Sequence, residues 1–196
     1  SSRDKFKLSY QAGLDLNHEW MQGERIGNGI KSIGDFAGFI SVKYTPVEKL
    51  DIQPGIRYMY NTRYRAPLIY SINAKFSASS EFIIRATYAR GFRAPSLKEL
   101  YLDFVDINHS IIGNDSLEAE KSNNSTLVFS YTHETHSKVL NSELSIFYNN
   151  VLNTIWLFNT GESDVSYTYG NVAQYQTHGF TLNTGASFYP SVSVKA

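Results

Sequence analysis

Two groups of residues in this chain have types and spacing that could do chemistry. His133 and His136 form a His-x-x-His pair, and Arg93 is followed by Glu99, Glu118 and Glu120. Two imidazoles at that spacing could share a metal, but a stable site needs further donors. No thiolate can supply them, because the chain has no cysteine. The pair reads as a surface turn. Arg93 could pair with an acid at the end of a strand or bind an anionic ligand. Glu99, Glu118 and Glu120 would fix a long loop through salt bridges or hydrogen bonds. His18 stands on an apolar parity near a strand end, which suits an interfacial position, and His178 opens a strand with no partner in view. Catalysis finds no support. There is no Gly-x-Ser-x-Gly elbow, no phosphate-cradling glycine loop and no His-Glu-x-x-His. Gly27-Asn28-Gly29 reads as turn chemistry. The expectation is a protein that is not an enzyme.

The elements that hold these residues follow from a two-residue alternation. Phe6, Leu8, Tyr10, Ala12, Leu14 and Leu16 alternate with Lys7, Ser9, Gln11, Gly13 and Asp15. Successive strand side chains point to opposite faces, so one face is apolar and the other polar. The pattern returns around Leu50 to Tyr60 and around Phe82 to Tyr88. It predicts about eight strands, near 5–20, 34–45, 50–60, 67–78, 81–92, 122–133, 139–150 and 171–188. Connections alternate between long (Met21 to Ile33, Arg93 to Lys121, Val151 to Gly170) and short (Thr45 to Lys49, Ser77 to Ser80, His133 to Lys138). Asn61 to Ala66 is intermediate. That asymmetry is expected of an all-β, antiparallel, up-and-down transmembrane β-barrel. Pro54 predicts a bulge or a strand start, since proline donates no ladder hydrogen bond. A short helix is expected at Ser96 to Tyr101, with Glu99 helping to cap it.

Composition narrows the partners. Lys plus Arg and Asp plus Glu both total 18, so the formal net charge is zero. That gives no electrostatic case for nucleic acid. No apolar run approaches a transmembrane helix, but a barrel hides its apolar band in alternation. Aromatic residues make up 14% of the chain. Many fall near strand ends (Trp20, Tyr44, Tyr60, Tyr70, Tyr88, Tyr131), as at membrane interfaces. The same alternation also fits a soluble ligand-binding barrel with the oily face inward. A passive porin or adhesin-like barrel is a further alternative.

The segment from Ala86 onward carries a family resemblance. Phe92-Arg93-Ala94-Pro95 is followed by Leu97-Lys98-Glu99-Leu100-Tyr101 and by Gly113-Asn114-Asp115-Ser116-Leu117-Glu118-Ala119-Glu120. Phe147-Tyr148-Asn149, Ile155, Tyr169-Gly170-Asn171 and Gly179-Phe180-Thr181 then follow in order. This succession resembles the barrel of TonB-dependent outer-membrane receptors. Asp115 replaces the proline of the family's Asn-Pro box, and Thr181 replaces a glutamate. The resemblance implies that residues 1–196 are part of one such barrel domain, with the plug and the barrel's C-terminal end absent. The chain also starts without a signal peptide, as a processed or excised piece would. The family implies an energised importer in the outer membrane of a Gram-negative bacterium. Its partners would be the TonB complex through the plug, the lipid bilayer and a small-molecule nutrient.

The resemblance also implies ligand residues. His109 lies between the two boxes, where haem receptors of the family place an iron-ligating histidine. Tyr101 could be a phenolate ligand or stack on a porphyrin. If the nutrient is cobalamin or an iron–siderophore, Tyr101, Asp103, Asp106 and Tyr167 would make the contacts. No resident cofactor is expected, with haem entering only as a transported ligand. The polar strand face (Lys7, Gln11, Asp15, Asp51, Arg57, Arg85) would line the lumen or meet the plug, and the apolar face would meet lipid.

Overall fold

A computed structural model describes residues 7–27, 29–107, 110–161, 165–188 and 192–195. Eight long strands dominate it: β1 (Lys7–Met21), β2 (Lys31–Val47), β3 (Leu50–Asn61), β4 (Ile69–Ser77), β5 (Phe82–Arg93), β8 (Glu120–Glu134), β9 (Lys138–Asn159) and β10 (Ser166–Phe188). They form one antiparallel meander in chain order. Three short strands were not anticipated. β6 (Asp103–Val105) and β7 (Ser110–Ile112) form a hairpin whose second strand runs parallel to the start of β10, and β11 (Val192–Lys195) pairs with the end of β10. A single helical turn, α1 (Leu97–Tyr101), follows β5. The described sheet is open, with β1 at one edge and β6 at the other.

The alternation sorts the faces as expected. One row of paired residues crosses all eight long strands: Leu8, Tyr44, Ile52, Ala74, Ala86, Leu127, Ile146 and Phe180. A row of the opposite parity reads Gln11, Ser41, Gly55, Ser71, Ala89, Asn124, Asn149 and Thr177. The apolar face is uncovered, with Leu14 78% and Phe180 75% exposed.

The apolar band also slides along the strands. On β1 and β2 it extends from the shared row towards the long connections, from Leu8 to Trp20 and from Tyr44 to Phe36. On β10 it extends the other way, from Phe180 to Phe188, and on β9 it runs from Tyr148 down to Leu140. The drift is roughly 1.3–1.7 residues per strand. At about 3.3 Å per residue and about 4.8 Å between strands, that drift equals a strand tilt of roughly 40–50°. Strands of transmembrane barrels tilt by about 35–45°, so a level band must climb the sheet in this way. Aromatic rings follow both sloping edges. Trp20, Tyr60, Tyr70, Tyr88 and Tyr148 mark the edge near the long connections. Tyr44, Phe76, Phe82, Tyr131 and Phe188 mark the other.

Two expectations need correction. The bulge predicted at Pro54 is absent there: β3 pairs with β4 straight through it, Gln53 to Asn73, Pro54 to Ile72, Gly55 to Ser71. The register shift lies instead between Tyr44 and Val47, beside Pro46 in β2. Pro54 is accommodated because no bridge pairs it with β2, where pairing jumps from Ser41–Gly55 to Tyr44–Ile52. The long loop predicted from Val151 to Gly170 is mostly strand, since β9 runs to Asn159 and β10 starts at Ser166. Asn-rich sequence hid this extension. Asn153 takes a left-handed φ of 58° within β9, a conformation asparagine tolerates, and pairing resumes beyond it at Thr154–Val172.

Candidate functional site

Most of the described buried residues collect in one place. Pro95, Leu97, Leu100, Leu117 and Ala119 from the segment between β5 and β8 are buried, as are Ile33, Ala37, Asn61 and Ile155 from the strands. All four strand positions share the parity of the polar face. The 94–119 segment therefore folds back over the polar face near the long connections. Leu100, Leu117 and Ile155 make its core, with Tyr64, Tyr101 and Tyr169 packed around them.

Arg93 is the hinge of this arrangement. Its Nε and Nη2 donate to the two Glu120 carboxylate oxygens at 2.7 and 2.9 Å, across the last rung of β5 and β8. Its Nη1 donates to both oxygens of Glu99 at 3.1 and 3.0 Å. A guanidinium fork suits this double bidentate pairing. Glu99 in turn accepts from the Ser96 backbone N–H at 2.7 Å and its hydroxyl at 2.9 Å, while Ser96 Oγ accepts from the Glu99 N–H. This reciprocal pair is the predicted capping box of α1. Glu120 Oε1 also accepts the Ile155 N–H at 2.7 Å. Lys121 occupies the outer face beside this rung, which places the Arg93–Glu120 pair beyond the lipid band. The Arg93 guanidinium, helped by the Ile155 N–H, holds the Glu120 carboxyl below the usual carboxylate range despite burial.

The second box is locked by backbone approach. Gly113 N–H donates to Leu102 C=O at 2.6 Å, and Asn114 N–H donates to Glu99 C=O at 2.9 Å. A Cβ on Gly113 would lie 2.6 Å from the Tyr101 nitrogen, so only glycine fits against this backbone. Asn114 ties the box to β10 through Tyr169 C=O at 2.9 Å and closes its own turn by accepting from Ser116. Asn171 then clamps the segment. It accepts from the Glu118 N–H at 2.8 Å and donates to the carbonyls of Glu118 and Asn153. Glu118 Oε2 accepts from Asn153 Nδ2 at 2.6 Å.

The structure groups four of the residues predicted to meet ligand. Tyr101 ends α1, Asp103 opens β6 opposite Ile112, Asp106 follows β6, and Tyr167 on β10 pairs with Ile111 of β7. The Tyr101 hydroxyl accepts from Arg63, and the Lys31 ammonium lies 4.9 Å from its ring centroid. Arg25 stacks over Phe104 at 4.4 Å. His109 lies outside the described residues. His133 Nδ1 sits 2.7 Å from Glu81 Oε1, joining two short turns at the opposite end of the sheet. His18 lies between the Trp20 and Phe36 rings on the apolar face.

Sequence reasoning missed the 62–68 connection as a support. Arg63 donates to the Tyr101 hydroxyl and the Asp115 carbonyl, and Tyr64 OH donates to Leu117 C=O at 3.0 Å. Asn61 organises that loop by accepting from the Arg63 and Tyr64 N–H groups at 2.9 and 2.7 Å. Burial pushes the Tyr64 phenol up. The run Arg63-Tyr64-Arg65 was the available signal: a cation–aromatic cluster beside a long loop.

Comparison with known proteins agrees with this geometry. The family model for the TonB dependent receptor-like β-barrel matches residues 4–194. Haemoglobin and haemoglobin-haptoglobin-binding protein C of Haemophilus influenzae is 24% identical over 89% of this chain and 18% of its own length. The siderophore receptor PirA of Pseudomonas aeruginosa superposes with a TM-score of 0.83 at 20% identity, over 99% of this chain and 39% of that one. The ferric enterobactin receptor PfeA of Pseudomonas aeruginosa gives 0.73 at 19% identity, over 94% of this chain and 32% of that one. The chain thus spans less than half the length of these relatives. It belongs to the TonB-dependent receptor family and forms part of that family's β-barrel.

Proposed function

We propose that the full-length protein is a receptor in the outer membrane of a Gram-negative bacterium that imports haem, energised by the TonB complex acting through a plug. The observation that supports membrane placement is the apolar band, which climbs the sheet at the tilt of a transmembrane barrel between two aromatic edges. Haem is favoured over other bulky nutrients because the relatives matched along most of this chain are named for haemoglobin binding. The protein would bind and pass its cargo without making or breaking covalent bonds. Tyr101, Asp103, Asp106 and Tyr167 would face the ligand, and His109 would supply an imidazole to the iron.

The test is a haemin titration of the full-length receptor in detergent, followed by visible absorption, beside His109→Ala. A saturable Soret shift that changes in the variant supports haem uptake with His109 at the iron. No saturable shift in the parent removes haem and brings iron–siderophore or cobalamin forward.

A further inference from the structure

Charge is distributed on the outer face in a way the transport reading does not use. The strand parities put every Asp and Glu of the eight long strands on the polar face. Among the described residues, the outer face of these strands carries only three Lys or Arg side chains. Lys138 stands at the short-turn end, opposite Phe188. Arg90 and Lys121 stand at the long-connection end, on the neighbouring strands β5 and β8. Arg90 pairs with Asn123, and Lys121 pairs with Phe92. The two cations are therefore diagonal neighbours on one face, a separation that long side chains bridge.

Their height is informative. Arg90 is one outward step beyond Tyr88, and Tyr88 and Tyr148 form the upper aromatic edge of this half of the sheet. Lipid headgroups lie at such an edge. On these two rungs the outer face carries Asn123, Asn150 and Gln176 beside Arg90, and Phe92, Leu152 and Gln174 beside Lys121. Asn123 Oδ1 accepts the Tyr88 hydroxyl at 2.8 Å, which leaves its amide hydrogens free to face a ligand. Gln174 Nε2 donates to Asn150 Oδ1 at 2.9 Å. Among the described residues, a cationic, amide-flanked patch without a carboxylate stands at one place on the outer face.

We propose that Arg90 and Lys121, flanked by Asn123 and Asn150, form a binding site for the phosphate of a phosphorylated lipid headgroup in the outer leaflet. The proposal rests on the membrane placement argued above. Arginine offers a planar fork to phosphate and lysine a point charge, so the pair suits one phosphomonoester. The amides would hydrogen-bond the remaining oxygens. Such a site would fix one lipid beside the β5–β8 pair, whose other face carries the Arg93–Glu120 junction.

The experiment uses the full-length receptor in nanodiscs doped with bisphosphorylated lipid A, dephosphorylated lipid A or phosphatidylcholine alone. Co-purifying lipid is quantified by mass spectrometry for the parent, R90Q/K121Q and K138Q. Each basic residue near a charged membrane surface contributes about five-fold in affinity, so the double variant should retain roughly 30-fold less lipid A. K138Q should match the parent, and dephosphorylated lipid A should not be enriched. Equal enrichment in the double variant, equal loss in K138Q, or enrichment without phosphate would overturn the site. Competition by inorganic phosphate alone at equal concentration would show a free-anion site and also reject the lipid assignment. Failure of the parent to enter nanodiscs would instead reject the membrane placement.

Discussion

The wall of the barrel and the segment that folds over it are stabilised in opposite ways. The wall buries almost nothing within this chain. Its apolar rows are exposed, and its order comes from ladder pairing and a face made for lipid. The 94–119 segment buries Pro95, Leu97, Leu100 and Leu117 against the polar face and is held by named side-chain bonds. In the wall many positions are interchangeable so long as parity holds. In the segment single residues carry contacts that no neighbour duplicates.

That contrast can be broken most severely in the wall. Leu127→Arg, at the shared apolar row, should cost about 2–4 kcal/mol of stability in a bilayer. Thr126→Arg, one residue away on the polar face, should cost far less. Urea titration of the refolded receptor in vesicles distinguishes them, and equal costs would deny the two faces different solvents.

The next largest effect lies in the segment. Arg93→Ala leaves the Glu99 and Glu120 carboxylates together without their shared cation. Breaking a partly buried pair in this way costs on the order of 1–3 kcal/mol, because the remaining acids stay desolvated. Amide exchange of α1 and of residues 113–118 should accelerate by roughly ten-fold or more, while β8 and β9 stay protected. Uniform acceleration would mean the segment is not a separate unit. Gly113→Ala should act on the same amides, at about 1–3 kcal/mol, because its Cβ meets backbone that has no room to move.

Acid should loosen the same region. The carboxyl of Glu120 is held below its ordinary value of 4.5, first by its hydrogen bonds to Arg93. A depressed carboxylate contributes stability that is present above the unfolded value and lost as pH falls through the folded one. Protection of α1 should therefore persist at pH 6 and decline below about pH 4.5, and Glu120→Gln should flatten the profile. Ser96→Ala should have the smallest effect. It removes one cap contact of a single helical turn, typically about 1 kcal/mol, and should be visible only as faster exchange at the start of α1.

The wall was legible in the sequence because period two is a direct consequence of the pleat. All eight long strands were located, and their faces followed from parity alone. β9 ran past its expected end because Asn153 read as a loop residue, whereas its amide donates to Glu118 and pairing with β10 continues beyond it. The segment was legible only as motif order. Arg93 and Glu99 could be named as partners or ligand contacts, but the fork to Glu120 depends on β5 and β8 meeting across 26 intervening residues. The hairpin of β6 and β7 is three residues per strand, too short to show alternation. Arg63 was missed because its partners come from a distant stretch of chain.

The most direct test of the account is a cysteine scan. The chain has no cysteine, so each introduced thiol is a unique reporter within it. Spin labels would be placed in the full-length receptor at Ala86, Leu127 and Ile146, and at Thr87, Thr126 and Ser145. Collision with oxygen in the lipid and with a water-soluble paramagnet is then measured in bilayers. The account predicts oxygen-dominated collision at the first three sites and water-dominated collision at the second three. Water-dominated collision at Ala86, Leu127 and Ile146 would contradict the lipid-facing assignment of the apolar band.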